Sequence, residues 1–273
     1  MSLRHHLLSI AGIFLGLGLG ILIGASVTSD QSLLARQQAM IDRLDADFAA
    51  LSAERGALVK ELDAYRRYAE ESLAHVVGSS LAGQRVALVA MGTASASVAS
   101  VTNSCETAGG AIGAVIKCDM AALDGLSPED WKAVGRAIAD GDTETLRLLA
   151  ADTGAPFGVD SRAAGGFSAV LVLAPAADAS QAVAAAVRAI SDEAKHAAIP
   201  VVLGWTGSAP AAPGKDWGLG GTCVQVAGVG SAPGNAAAVL ALAGIKGDYG
   251  RAPATPFLPP ASSVPRLAVG GTH

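Results

Sequence analysis

Between Leu7 and Val27 the chain reads LLSIAGIFLGLGLGILIGASV, an unbroken apolar run without a single charge. At ~1.5 Å of rise per residue a helix of this length crosses a hydrocarbon core of ~30 Å. Inside lipid the backbone must satisfy its own hydrogen bonds, so a lone segment has to be a helix. Residues 1–29 therefore predict a transmembrane signal anchor, with everything downstream tethered to a membrane. A cleaved signal peptide is the competing reading, because Gly24 and Ser26 are small enough for a cleavage site. Against it, the run exceeds the ~7–15 residues of a signal core, and Arg4 is the only charged side chain ahead of it. Lys and Arg are nearly balanced across the run, so orientation rests on the short N-terminus. That places the N-terminus in the cytoplasm and the C-terminal bulk outside it.

Gly12, Gly16, Gly20 and Gly24 recur every fourth residue and line one stripe of this helix. Small residues at that spacing let two helix backbones approach closely, which is how packing drives association in lipid. Past the anchor the composition shifts to Gln, Arg, Asp, Glu and Ala with spaced leucines. With Leu34 as heptad position a, the seam contains Leu34, Ile41, Leu44, Phe48, Leu51, Leu58, Leu62 and Tyr65, broken by Arg55 at an a site. An apolar period of 3.5 predicts a left-handed coiled coil over 30–78. A charged a residue costs stability while pinning register and strand number. The alternative is a helix lying on the following domain with Arg55 snorkelling outward. Glycine stripe and heptads favour the same symmetry, a parallel homodimer. Gly78 then supplies the helix stop.

From Leu81 onward apolar runs alternate with amphipathic ones. Strands are expected at 85–91, 111–117, 168–174, 200–204 and 222–226. Helices are expected at 95–108, 128–140, 143–151, 180–198 and 235–244, with 152–166 and 209–221 as loops. Ser127-Pro128-Glu129-Asp130 is a strong helix start, combining an N-cap serine, a proline at the first position and acids in the first turn. Alternating strands and helices imply right-handed crossovers and a mostly parallel sheet covered on both faces. The fold class is α/β, with a Rossmann- or flavodoxin-like domain over 81–246 following the transmembrane helix and coiled coil. A proline-rich tail, 247–273, completes the chain and is expected to be disordered.

A net charge of -5 argues against a phosphate-binding surface and against nucleic acid as a partner. The turn after the first strand, Met91-Gly92-Thr93-Ala94-Ser95, has neither GxGxxG nor a Walker lysine, although its small residues leave room for an anion. No HExxH, GxSxG or Ser/His/Asp arrangement is legible, so an enzyme is not expected. His196 reads as a solvent-facing residue late on a helix. The three cysteines form no CxxC: Cys105 and Cys118 are expected near opposite ends of one helix–strand unit, and Cys223 as a small buried hydrophobe. His5 and His6, at the mouth of the anchor, are weak metal candidates that several chains together could assemble. No cofactor is certain from these residues.

Several short motifs carry a family resemblance. They are Ser2-Leu3-Arg4-His5-His6 before a glycine-spaced anchor, the coiled coil, the strand 85–91, Ala108-Gly109-Gly110-Ala111-Ile112 and Gly247-Asp248-Tyr249-Gly250. In order and length these resemble the bacterial copper-transport membrane protein family, whose named member is mycobacterial. The resemblance implies a role in limiting intracellular copper, with the outer membrane as a location, and makes copper the implied ligand. Many relatives carry His where this chain has Asp248, so that imidazole is missing here. The family has also been linked to cell separation, which implies an envelope protein as partner. A single membrane helix cannot form a conducting pore alone, so the resemblance implies assistance in copper handling rather than conduction.

Overall fold

The computed structural model describes residues 3–152, 157–161, 165–176, 180–207 and 223–247. The chain divides into two compact units, Met1–Tyr65 and Arg66–His273.

Helix α1, Leu3–Val77, supplies the first unit. Its segment His6–Ala25 is long and apolar enough to cross a membrane, with a mean hydropathy of 2.4 and none of it buried. An added Cβ at Gly12, Gly16, Gly20 or Gly24 would meet nothing within 4 Å, so the glycine stripe stands open. Leu34, Ile41, Leu44, Phe48, Leu51, Leu58, Leu62 and Tyr65 are each half or more exposed.

In the second unit the last turns of α1 dock on the core through Leu73 and Val77. The helix ends at Gly78, whose φ of 50° suits a residue without Cβ and whose N–H donates to the Ala74 carbonyl at 3.0 Å. Strand β1, Arg85–Met91, follows, then a 3-10 turn over Gly92–Ser97 and helix α2, Val98–Thr107. Strand β2 is Ala111–Cys118, followed by α3, Met120–Gly125, α4, Pro128–Asp140, and α5, Thr143–Asp152. Strands β3, Phe157–Ser161, and β4, Ala169–Pro175, lead to α6, Gln181–His196. Strands β5, Val201–Thr206, and β6, Val224–Val229, precede the last described helix, α7, Ala232–Leu242.

The six strands form one sheet in the order β3-β2-β1-β4-β5-β6. All neighbours run parallel except β3, which pairs antiparallel with β2. The five parallel strands thus adopt the flavodoxin-like order, reversing direction between β1 and β4. Along β1 the side chains alternate between two cores. Ala87, Val89 and Met91 pack beneath α4 and α6, while Val86, Leu88 and Ala90 pack beneath α2 and α7. Such strands are buried on both faces, which is why they read as continuous Val/Leu/Ala runs. The register between β1 and β2 slips at Val86/Ala87, where β2 inserts Gly113. A Cβ there would stand 2.7 Å from the Phe167 ring, so the bulge lays bare backbone against an aromatic face.

The helix starts follow their caps. Ser127 Oγ accepts from the Asp130 N–H at 3.2 Å, and Asp130 Oδ2 accepts in return from the Ser127 N–H at 2.8 Å, a complete capping box. Gly141, at φ 70°, closes α4 in the left-handed region. Ser180 caps α6 and Ser231 caps α7.

Several sequence expectations need correcting. The segment 152–166, expected as a loop, contains β3, a five-residue strand that exists by pairing with Ala114–Cys118. Its Phe-Gly-Val-Asp-Ser sequence has too little alternation to announce itself. The helix expected from Ser95 begins as a 3-10 turn at Gly92 and becomes α-helical at Val98. The short α3 was not anticipated, and the last helix starts at Ala232 rather than Asn235 because Ser231 is the cap. Residues 209–221 and the tail beyond 247 lie outside the described residues.

Candidate functional site

In a doubly wound sheet, ligands settle beyond the carboxyl ends of the strands where the order reverses, with anions at the helix N-terminus after β1. Here that place holds protein. Gly92 follows β1 at φ 54°, and a Cβ on it would stand 2.8 Å from Met120 Sδ and 3.7 Å from Pro175 Cγ. The glycine is needed because a thioether lies across the turn. The α-helix proper does not begin until Val98, and its flanking Ser97 makes no side-chain cap bond. Gly230, after β6, approaches the same turn so closely that a Cβ would lie 2.6 Å from Ser97 Oγ. The room for an anion that the small residues of Met91–Ser95 suggested is thus taken by Met120, Pro175 and Ser97.

What gathers at these strand ends is sulfur. Met91 and Cys118 are register partners at the ends of β1 and β2, both fully buried in the core layer under α4 and α6. Met120, two residues beyond Cys118, packs against the same layer. Thioether and thiol are soft donors suited to Cu(I). Burial, with a smaller contribution from Asp119, pushes the Cys118 thiol up to about 12, so it is protonated at neutral pH and would bind a metal only by losing its proton. Packing alone also accounts for these residues, since methionine readily fills irregular core gaps. The Cys118-x-Met120 spacing is visible in the sequence; its juxtaposition with Met91 depends on strand pairing.

The other candidates disperse. Cys105 lies on α2 in the opposite core layer from Cys118, so these two thiols face away from each other across the sheet. Both are free, and burial, aided slightly by Glu106, holds the Cys105 thiol near about 12 as well. Cys223 is half-buried and precedes β6. His6 is exposed on α1, while the side chain of His5 lies outside those described. His196 Nδ1 donates to the Asp192 carbonyl at 2.6 Å on the exposed end of α6, as a solvent-facing residue would. Among the described residues, no group of three or more His, Cys, Asp or Glu could hold a metal ion.

Sequence reasoning missed Asn235. It is 2% exposed, and its Oδ1 accepts from the Gly230 N–H at 2.8 Å. Its Nδ2 donates to Ser100 Oγ at 2.8 Å and Ser104 Oγ at 3.1 Å. An asparagine inside an Ala-rich helix was the only signal available.

Besides the apolar segment His6–Ala25, the first unit leaves the seam from Leu34 to Tyr65 exposed. Eight apolar side chains in a 3.5-residue repeat, with Arg55 among them, stand exposed along this seam.

A family model described as "Copper transport outer membrane protein, MctB" matches residues 1–158, more than half of the 273-residue chain. The match runs from the apolar segment of α1 through α5 into β3. No curated protein matches the chain.

Proposed function

The chain belongs to the MctB copper transport outer membrane protein family, and from that premise we propose an envelope protein, held by one membrane helix, that contributes to copper efflux and homeostasis. The family match is the observation that carries this reading. The apolar segment His6–Ala25 and the soft donors Met91, Cys118 and Met120 support it. The N-terminus is cytoplasmic and the C-terminal domain extracytoplasmic, as a short, nearly uncharged leader favours. The one membrane-length helix among the described residues encloses no aqueous path by itself, so the role proposed is assistance in copper handling. It has no catalytic activity of its own. The test is growth of a deletion strain with and without added copper, together with Cu(I) titration of the purified full chain. Copper sensitivity restored by the intact gene is expected; normal tolerance with no binding tighter than micromolar overturns the reading.

A second reading is favoured by the exposed seam. The chain works as a homodimer, joined through anchor and coiled coil, that acts as an adaptor for cell-envelope or cell-separation machinery. The glycine stripe, open along Gly12, Gly16, Gly20 and Gly24, supports the pairing. Charged substitutions at Leu44 and Leu51 are expected to impair cell separation and leave copper tolerance intact. Normal separation in that strain, with the variant present at the normal level, removes the adaptor.

A further inference from the structure

Arg55 is the one charged residue at the a and d positions between Leu34 and Tyr65, Gln37 at d being polar but neutral. A helical side chain meets neighbours three and four residues away. For Arg55 these are Leu51, Ser52, Leu58 and Val59, none of them acidic. The adjacent Glu54 is in the same position: its neighbours are Ala50, Leu51, Ala57 and Leu58, none of them basic. Some other charges on α1 are spaced for pairing within the helix, as Arg43 is with Asp47 and Lys60 with Asp63, whereas Arg36 and Glu61 share the isolation of Arg55 and Glu54. Both Glu54 and Arg55 are exposed, and among the described residues neither takes part in an ion pair.

With Leu34 at position a, Arg55 falls at a and Glu54 at the flanking g. In a parallel, in-register pair, each a side chain enters a hole on the facing helix made by the preceding d and g and the level a and d. For Arg55 that hole is Leu51, Glu54, Arg55 and Leu58 of the second copy. We propose that Glu54 and Arg55 form a reciprocal charged clasp between two copies of this chain, Glu54 of each copy pairing with Arg55 of the other. The proposal rests on the homodimer reading above and adds its orientation. Two clasps at one level place two cations and two anions together, so each Arg55 faces an opposite charge beside its like-charged counterpart. An antiparallel pair sets g against g and would align Asp47, Glu54 and Glu61, all acidic, along the same flank. A slip of one heptad brings Arg55 level with Phe48 or Leu62, where Asp47 or Glu61 at the preceding g still offers an acid, and leaves Glu54 facing an apolar side chain. The clasp therefore disfavours the antiparallel pairing as well as rewarding the parallel one. The occupant of this seam is a second copy because the charges missing from one helix are those the other supplies.

The experiment uses the full chain in lipid nanodiscs, with association read by fluorescence transfer between two labels. Glu54→Arg gives a chain with two cations at this level, and Arg55→Glu a chain with two anions. Each alone is expected to self-associate about tenfold more weakly. Mixed, they are expected to form heterodimers in clear preference to either homodimer, and the chain carrying both substitutions to pair like the original. A mere loss of helix stability would not be rescued by mixing. If the unaltered chain stays monomeric, the homodimer reading fails and the clasp with it. If it dimerises but the two variants show no preference for each other, the clasp alone is overturned.

Discussion

Asn235 on α7 donates to Ser100 on α2 across 2.8 Å, tying together the two helices that cover one face of the sheet. The same amide group receives the Gly230 N–H, so a single side chain also fixes the turn that leads out of β6. Asn235→Ala removes the acceptor for Gly230 and the donors for Ser100 and Ser104 in a buried setting. The expected cost is about 3 kcal/mol. Urea unfolding of the domain checks it, and a loss below about 1 kcal/mol would mean that water replaces the amide.

The cap of α4 predicts a smaller, pH-dependent effect. Hydrogen bonds from the Ser127 hydroxyl and backbone N–H hold the Asp130 carboxyl below its ordinary 3.8. A lowered carboxyl pKa contributes stability above the unfolded-state value that is lost as pH falls through the folded one. Ser127→Ala is expected to cost about 1 kcal/mol at neutral pH. Below pH 3.8 the difference between the two proteins should shrink, as Asp130 takes up its proton. A gap that stays constant down to acid pH would show the contribution to be one of shape only.

Gly141 predicts intolerance of any side chain. Its φ of 70° is left-handed, and a Cβ would collide with the Gly166 backbone. Gly141→Ala is expected to cost roughly 2 kcal/mol or more, combining the left-handed penalty with displacement of the strand-leading turn. Thermal melting of the variant checks this; an unchanged Tm would mean that the turn is free to shift.

The two deeply buried thiols predict a chemical signature. With Cys105 and Cys118 both pushed up to about 12, neither should be alkylated in the native protein at pH 8, and both should react once it is unfolded. Between the ordinary value of 9.0 and about 12 the unfolded chain loses protons that the native one keeps. Stability therefore falls as pH rises through that window. Added Cu(I) offers a further check: protons released on binding would identify Cys118 as a ligand, and a Cys118→Ser variant should abolish the release.

The parts of the fold legible in the sequence were those where one local signal suffices. The apolar N-terminal helix is a matter of length and charge, and β1 and α4 were delimited correctly because one is a buried strand and the other carries a complete cap. What depended on distant residues was not legible. Strand β3 is held by its pairing with β2, and nothing within Phe157–Ser161 says so. The sulfur cluster needs Met91 and Cys118 to be neighbours, a fact of strand register. The last helix was expected from Asn235, whereas Ser231 caps it and Asn235 is buried inside it. The seam of α1 was readable residue by residue, and the structure adds that nothing in its own unit covers it.

The position of β1 has a practical consequence for anyone shortening this protein. It lies between β2 and β4, and β4 arrives only at Ala169, after the region that matches the family has ended. A chain stopped near residue 160 would keep the whole region matched by the family model yet leave Val86–Ala90 as a bare, greasy border with its amides unanswered. Such a product should clump on expression, and its insolubility would say nothing about copper.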